Sequence, residues 1–138
     1  MQTSADHLLD TSAAIALLSP DHPSHAEVKT LCRSLTLGLS GHALVETYSV
    51  LTRIPGAQRL DHVAAATLVT REFPRSVALS PEDSLSAVET FSTAGIAGGA
   101  VYDGLVGLAA KSAGIPLLSC DRRAESTYAK LGVDVRLV

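Results

Sequence analysis

A chain of 138 residues has room for one domain with a real hydrophobic core and needs no second. It is 46% hydrophobic but carries only two Phe, three Tyr and no Trp, so the core has to be built from Ala, Val, Leu and Ile, as in a tightly packed layered α/β protein. Two cysteines exclude a disulfide framework, no run reaches the about 18 uninterrupted apolar residues of a membrane span, and a formal charge of -3 weighs, taken alone, against a nucleic-acid partner.

Residues 1–6 are polar and read as a frayed lead-in without the basic region of an export signal, which leaves a reducing cytoplasm as the default compartment. HLLD then reads as a short buried strand ending on Asp10, and TSAAIALL as the helix that follows, with Asp10, Thr11 and Ser12 at the junction. Across residues 22–35 the spacing of Ala26, Val28, Leu31 and Leu35 predicts a second helix, and LTLGLS a second strand, with Ser40 able to cap what comes next. GHALVETYSVLTRIPG predicts a third helix with Leu44, Tyr48 and Leu51 as its core stripe, ended by Pro55 and Gly56. Residues 60–73 predict a fourth, stopped by Pro74. A third strand is expected over residues 76–79, after which Ser80, Pro81 and Asp83 form the strongest helix start in the chain. STAGIAGGA reads as a glycine-rich loop and residues 101–113 as a helix closed by Gly114. IPLLSCD is a fourth strand ending on Asp121, residues 122–131 a short helix, and Val133, Val135 and Leu137 a half-exposed fifth strand.

Short apolar strands alternating with helices predict a single α/β domain over residues 1–138, in three layers, α/β/α, around a mainly parallel sheet of about five strands. Ligands in such folds bind beyond the carboxyl ends of the strands, where both Asp10 and Asp121 would stand.

The segment AVYDGLVGLAAKSAG carries only Asp103 and Lys111 as charges, so it reads as a helix buried all round, in which a carboxylate needs a cation, hydrogen bonds or a metal. Gly107, Ala110 and Gly114 share the Asp103 stripe and leave room for another backbone or a phosphate. Each acid also has a plainer explanation. Asp103 suits a buried salt bridge, Asp10 a helix cap, Asp121 a turn, and Glu46, on one stripe with His42, Ser49 and Arg53, a solvated position. Gathered on one rim, the four would repel one another, and a divalent ion is the usual relief. Oxygen donors without cysteine or paired histidine select Mg²⁺ or Mn²⁺ over zinc and favour metal-assisted phosphoryl or phosphodiester hydrolysis. His22 and His25 straddle a proline turn and Cys120 has no readable base, so neither reads as a zinc site or a nucleophile.

With LLDTSAAIALL carrying Asp10, ALVETYSVLTRIPG carrying Glu46, YDGLVGLAAKSAGIPLLSCD carrying Asp103 and Asp121, and LGVDV closing the chain, the sequence resembles a PIN-domain ribonuclease of the VapC type. That type is the toxin of a bacterial toxin-antitoxin pair. The resemblance covers nearly the whole chain. It implies an Mg²⁺- or Mn²⁺-dependent endoribonuclease that cuts structured RNA, transfer or ribosomal, at exposed loops. Asp10 and Asp103 are then the first metal ligands, with Glu46 and Asp121 completing the site directly or through water and Glu46 a water-activating base. A homodimer and an inhibiting VapB-type antitoxin are implied as well. Thr11, Ser12 and Ser119 are candidate hydroxyls for orienting the carboxylates.

Setting the four ligands aside leaves ten acids against eleven Lys and Arg, so RNA is not excluded by charge. Arg53, Arg59, Arg122 and Arg123 flank the expected rim as candidate phosphate contacts. Two rival readings stay open. One is an aspartyl phosphotransferase or phosphoacceptor domain with Asp10 as nucleophile, although haloacid-dehalogenase-like enzymes need a second Asp where Ser12 stands. The other is a non-catalytic module that binds RNA or a partner.

Overall fold

In the computed structural model, which describes residues 4–138, the strands β1 (His7–Leu9), β2 (Leu37–Leu39), β3 (Leu117–Ser119) and β4 (Val135–Leu137) pair in parallel in the order β2-β1-β3-β4. Leu8 and Leu9 of the central strand face Gly38 and Leu39 on one side and Leu117 and Leu118 on the other, and these leucines are buried, as strands covered on both faces must be. The covering helices are α1 (Thr11–Leu18), α2 (His25–Cys32), α3 (Ala43–Arg53), α4 (His62–Glu72), α5 (Pro81–Ala94), α6 (Ala100–Ala113) and α7 (Glu125–Leu131), the last preceded by a 3-10 turn at Arg122–Ala124. This is the three-layer α/β/α arrangement. Ala13, Ala14 and Ala16 are fully buried along α1, so small side chains let this helix sit close to the sheet.

Local chemistry accounts for the element ends. Ser80 Oγ accepts the Asp83 N–H at 3.1 Å with Pro81 in the first turn, and Gly114 ends α6 at φ 68, a left-handed geometry that a glycine reaches without strain.

Several expectations need correction. The strand foreseen over residues 76–79 is reduced to one parallel bridge, Ser40 to Val77. The Arg75 carbonyl turns over Gly38 into the space a Cβ would fill, and Ser76 Oγ takes the Leu39 N–H at 2.9 Å, so the ladder cannot extend. The second helix starts only at His25, because His22 Nδ1 accepts the Ser24 N–H at 3.0 Å in the preceding turn. It stops before Ser34, whose φ of 63 is left-handed. Residues 92–94 belong to α5, leaving a loop of residues 95–99. Ser40 caps nothing; its hydroxyl donates to the Val106 carbonyl at 2.6 Å and ties β2 to α6. The buried stripe of α3 is Ala43, Thr47 and Leu51, with Leu44 and Tyr48 turned outward. Helix α6 is not buried all round either, since Tyr102, Lys111 and Ser112 are exposed. Of the lead-in expected to fray, residues 1–3 lie outside the described residues. Ala5 is buried, and the Asp6 N–H and carboxylate bind the Thr36 carbonyl and N–H at 2.7 Å each.

A candidate active site of four carboxylates

The parallel sheet gathers its strand ends on one edge, and Asp10 leaves β1 there while Asp121 follows β3. Asp10 is 4% exposed and caps α1: its Oδ1 accepts the Ala13 N–H at 3.0 Å and the Ser12 hydroxyl at 2.6 Å. Its Oδ2 accepts the Tyr128 hydroxyl at 2.8 Å. Capping and site therefore use the same carboxylate. Ser12 also receives the Cys120 N–H at 2.8 Å and lies 3.4 Å from the Ser119 hydroxyl, which joins the two strand ends, while Ser119 Oγ receives the Asp121 N–H at 3.1 Å within the turn after β3. Asp121 accepts the Arg123 N–H at 2.9 Å, the turn-forming bond expected of it. Glu46 stands in the first turn of α3, 3.5 Å from His42 Nε2, and Asp103 in the first turn of α6.

Asp10, Glu46, Asp103 and Asp121 line one cavity of about 230 Å³, together with Thr11, Ser12, Tyr102 and Val106. Burial, then the charges of Asp121, Asp10 and Glu46, push the Asp103 carboxyl up to about 6, against a small opposing effect of Arg123. Burial also raises Asp10, opposed by Ser119, Ser12, the Ala13 N–H and Tyr128. Among the described residues, Arg123 pairs with Asp121 at 3.5 Å, while Asp10 and Asp103 have no cationic partner. A buried salt bridge does not explain Asp103. No three His, Cys, Asp or Glu side chains among the described residues converge tightly enough to ligate an ion as they stand. Four like charges around one opening repel one another, and no basic side chain lines the cavity to offset them. The polar groups facing the cavity are carboxylate and hydroxyl oxygens, hard donors throughout.

Of the four arginines, only Arg123 reaches an acid of the site, and it is otherwise 95% exposed. Arg53 Nε donates to Ser49 at 3.3 Å, Arg59 and Arg122 lie on the surface, and none of the four lines the cavity. His22 and His25 turn to different backbone partners, the Ser24 N–H and the Ala16 carbonyl. The thiols of Cys32 and Cys120 are both raised, chiefly by burial, which suits packed cysteines and not nucleophiles.

Sequence reasoning missed Tyr128, His42 and Tyr102 as parts of this site. Tyr128 carried one signal, its place on the stripe of Ala124 and Leu131 in the last helix, since a buried phenol needs an acceptor. The small-residue stripe of α6 serves it as well. A Cβ on Gly107 would stand 3.1 Å from Tyr128 Cδ1 and 2.9 Å from Val133 Cγ2, so Gly107 makes room for side chains and not for a phosphate.

The raised acids give a pH signature. Folded Asp103 binds its proton more tightly than the unfolded chain, so from about 3.8 up to about 6 the folded state holds more protons and stability falls as pH rises. For this partly open carboxylate the loss is about 1–2 kcal/mol after screening. Urea midpoints in EDTA are expected to be lower at pH 7.5 than at pH 5, with a smaller difference in Asp103→Asn. An equal difference in that variant would refute the assignment.

A PIN-domain family model matches residues 7–130. Ribonuclease VapC27 of Mycobacterium tuberculosis is 44% identical over 127 residues, which cover 92% of this chain and 93% of that protein. Several solved structures share the fold. Mycobacterium tuberculosis VapC20, a sarcin-ricin loop cleaving toxin, gives a TM-score of 0.69 at 22% identity, covering 92% of this chain and 95% of that one. VapBC2 of Rickettsia felis, bound to a DNA fragment from its promoter, gives 0.66 at 12% identity, covering 96% and 98%.

Proposed function

This chain belongs to the PIN-domain family, among its VapC ribonucleases, and from that premise we propose that it is a divalent-metal-dependent endoribonuclease toxin acting on structured RNA in the cytoplasm. One observation carries the reading: four carboxylates from four segments line a single cavity, and among the described residues Asp10 and Asp103 have no cationic partner there. A protein that handles a polyanion gathers acids at one point chiefly to hold cations there.

The donor set fits Mg²⁺, with Mn²⁺ as a substitute, because it offers oxygens and neither thiolate nor imidazole lines the cavity. Asp10 and Asp103 would hold the ion directly, and Glu46 and Asp121 directly or through water. A bound ion supplies an acidified water and neutralises charge on the phosphate. The chain does the rest. Ser12 and Tyr128 fix the Asp10 carboxylate, and Ser119 holds the Asp121 backbone in place. Glu46 faces the cavity as acceptor for the proton of the attacking water, with His42 beside its carboxylate. Arg123, exposed at the rim, meets the incoming phosphate backbone.

The target is taken to be a transfer or ribosomal RNA loop, where bases are unstacked and readable. VapC20, named for cleaving such a loop, supports this class of substrate. The VapBC2 assembly supports a VapB-type antitoxin as inhibitor. We assign it the apolar groove of about 390 Å³ among Ile15, Leu18, Leu51, Ile54, Leu60 and Leu68, and the homodimer rests on the sequence resemblance alone. The phosphoacceptor alternative is disfavoured because Ser12 stands where haloacid-dehalogenase-like enzymes need a second Asp.

Purified protein incubated with total RNA and Mg²⁺ or Mn²⁺ should cut it and stop cutting in EDTA. Water attack leaves 5′-phosphate and 3′-hydroxyl ends. Cleavage that survives EDTA, or products ending in a 2′,3′-cyclic phosphate, would overturn the metal-hydrolysis reading.

A further inference from the structure

One aromatic ring lines the acidic cavity, and a second, outside the lining, packs against it. Tyr102, in the first turn of α6, lines the cavity and is 52% exposed. The His42 ring lies against it, with centroids 5.0 Å apart and planes inclined by 32°, within the spacing that aromatic pairs prefer. A ring left half in solvent contributes little to a core, and this one is braced by a neighbour instead of being free to swing. His42 is anchored in turn, 3.5 Å from the Glu46 carboxylate across one turn of α3. The result is a fixed aromatic surface, one residue before Asp103 in the chain, at the opening through which a phosphate would reach the acids.

Unstacked bases of single-stranded RNA bind by stacking on such rings, because every base has a π-face. We propose that Tyr102, braced by His42, is the stacking platform for a nucleobase of single-stranded RNA beside the scissile phosphate. This rests on the ribonuclease reading and adds a base-contacting residue to it. The exposed tyrosine, the His42 contact and the shared cavity are all accounted for by that one role.

The test measures binding apart from cleavage. In an Asp10→Asn background with Mg²⁺, a fluorescein-labelled single-stranded oligoribonucleotide cut by the wild-type protein is titrated by anisotropy. Tyr102→Ala is expected to weaken binding about 5- to 100-fold, while Tyr102→Phe, which keeps the ring, stays within about twofold of the parent. In a series of oligonucleotides each carrying one abasic nucleotide, a single position should cost the Tyr102 protein the same factor and cost Tyr102→Ala nothing further. Unchanged binding in Tyr102→Ala overturns the platform, and so does a Tyr102→Phe defect as large as that of alanine. A change in sedimentation mass that tracks the loss also overturns it, because a second copy would then be what covers the ring. Wild-type protein that never cuts RNA with Mg²⁺ or Mn²⁺ sinks the ribonuclease reading and the platform with it. Wild-type cleavage with unaltered Tyr102→Ala binding sinks the platform alone.

Discussion

Asp10→Asn and Asp103→Asn are each expected to lower RNA cleavage by more than about 100-fold while leaving the protein folded. Groups that merely steer a metal ligand are worth about 10–100-fold, and a direct ligand must exceed them. Folding survives because the asparagine at position 10 keeps an oxygen for the Ala13 N–H and Ser12 hydroxyl, and its amide nitrogen can donate to the Tyr128 hydroxyl. At position 103 the substitution removes one of four charges that repel around the cavity, so stability at pH 7.5 in EDTA should rise. Initial rates on labelled RNA, beside urea midpoints of the same preparations, separate the two effects. Either variant cutting within tenfold of the parent would remove that residue from the proposed metal site, and a loss of activity accompanied by unfolding would leave the chemistry unsupported.

The positions of Asp10 and Asp121 were legible because a parallel sheet is a strong geometric constraint, whereas Glu46 came in only through the family resemblance. Once HLLD and IPLLSCD are read as strands of one sheet, Asp10 and Asp121 must leave it on the same edge, whatever the details of packing. Helix starts such as Ser80-Pro81 were legible for a similar reason, since they are settled within three or four residues. Where sequence reasoning failed, the deciding partner was distant or the residues too alike. On α3, Ala43, Thr47 and Leu51 share a helical stripe as well as Leu44, Tyr48 and Leu51 do, and periodicity favours the bulkier set. The structure buries the smaller one and turns Leu44 and Tyr48 outward. The third strand failed on one hydroxyl, Ser76 Oγ, which takes an N–H that a ladder would need. The Tyr128 hydroxyl meets Asp10 across 118 residues of chain, a pairing that no local pattern encodes.

Tyr128 carries the other large prediction, in two parts that distinguish packing from positioning. Tyr128→Ala empties a fully buried ring site and is expected to destabilise the protein by about 3–5 kcal/mol. Tyr128→Phe keeps the ring and removes only the donor to Asp10, a hydrogen bond to a buried charged group worth about 1.5–3 kcal/mol. Burial, and then the neighbouring Asp10, push the phenol so far up that it stays protonated and remains a donor at any working pH. Its position matters because the Asp10 Oδ1 accepts from two donors, while Oδ2 accepts from Tyr128 and is the oxygen proposed to meet the ion. Without that bond the carboxylate can turn about its last torsion, and cleavage should fall about 10–100-fold. A merely structural hydroxyl would lower the urea midpoint without altering metal binding. Mn²⁺ titration of folded Tyr128→Phe by electron paramagnetic resonance distinguishes the cases, because a positioning role predicts weaker Mn²⁺ binding and partial recovery of rate at saturating metal. Unchanged Mn²⁺ affinity would reduce Tyr128 to a core residue that happens to touch the site.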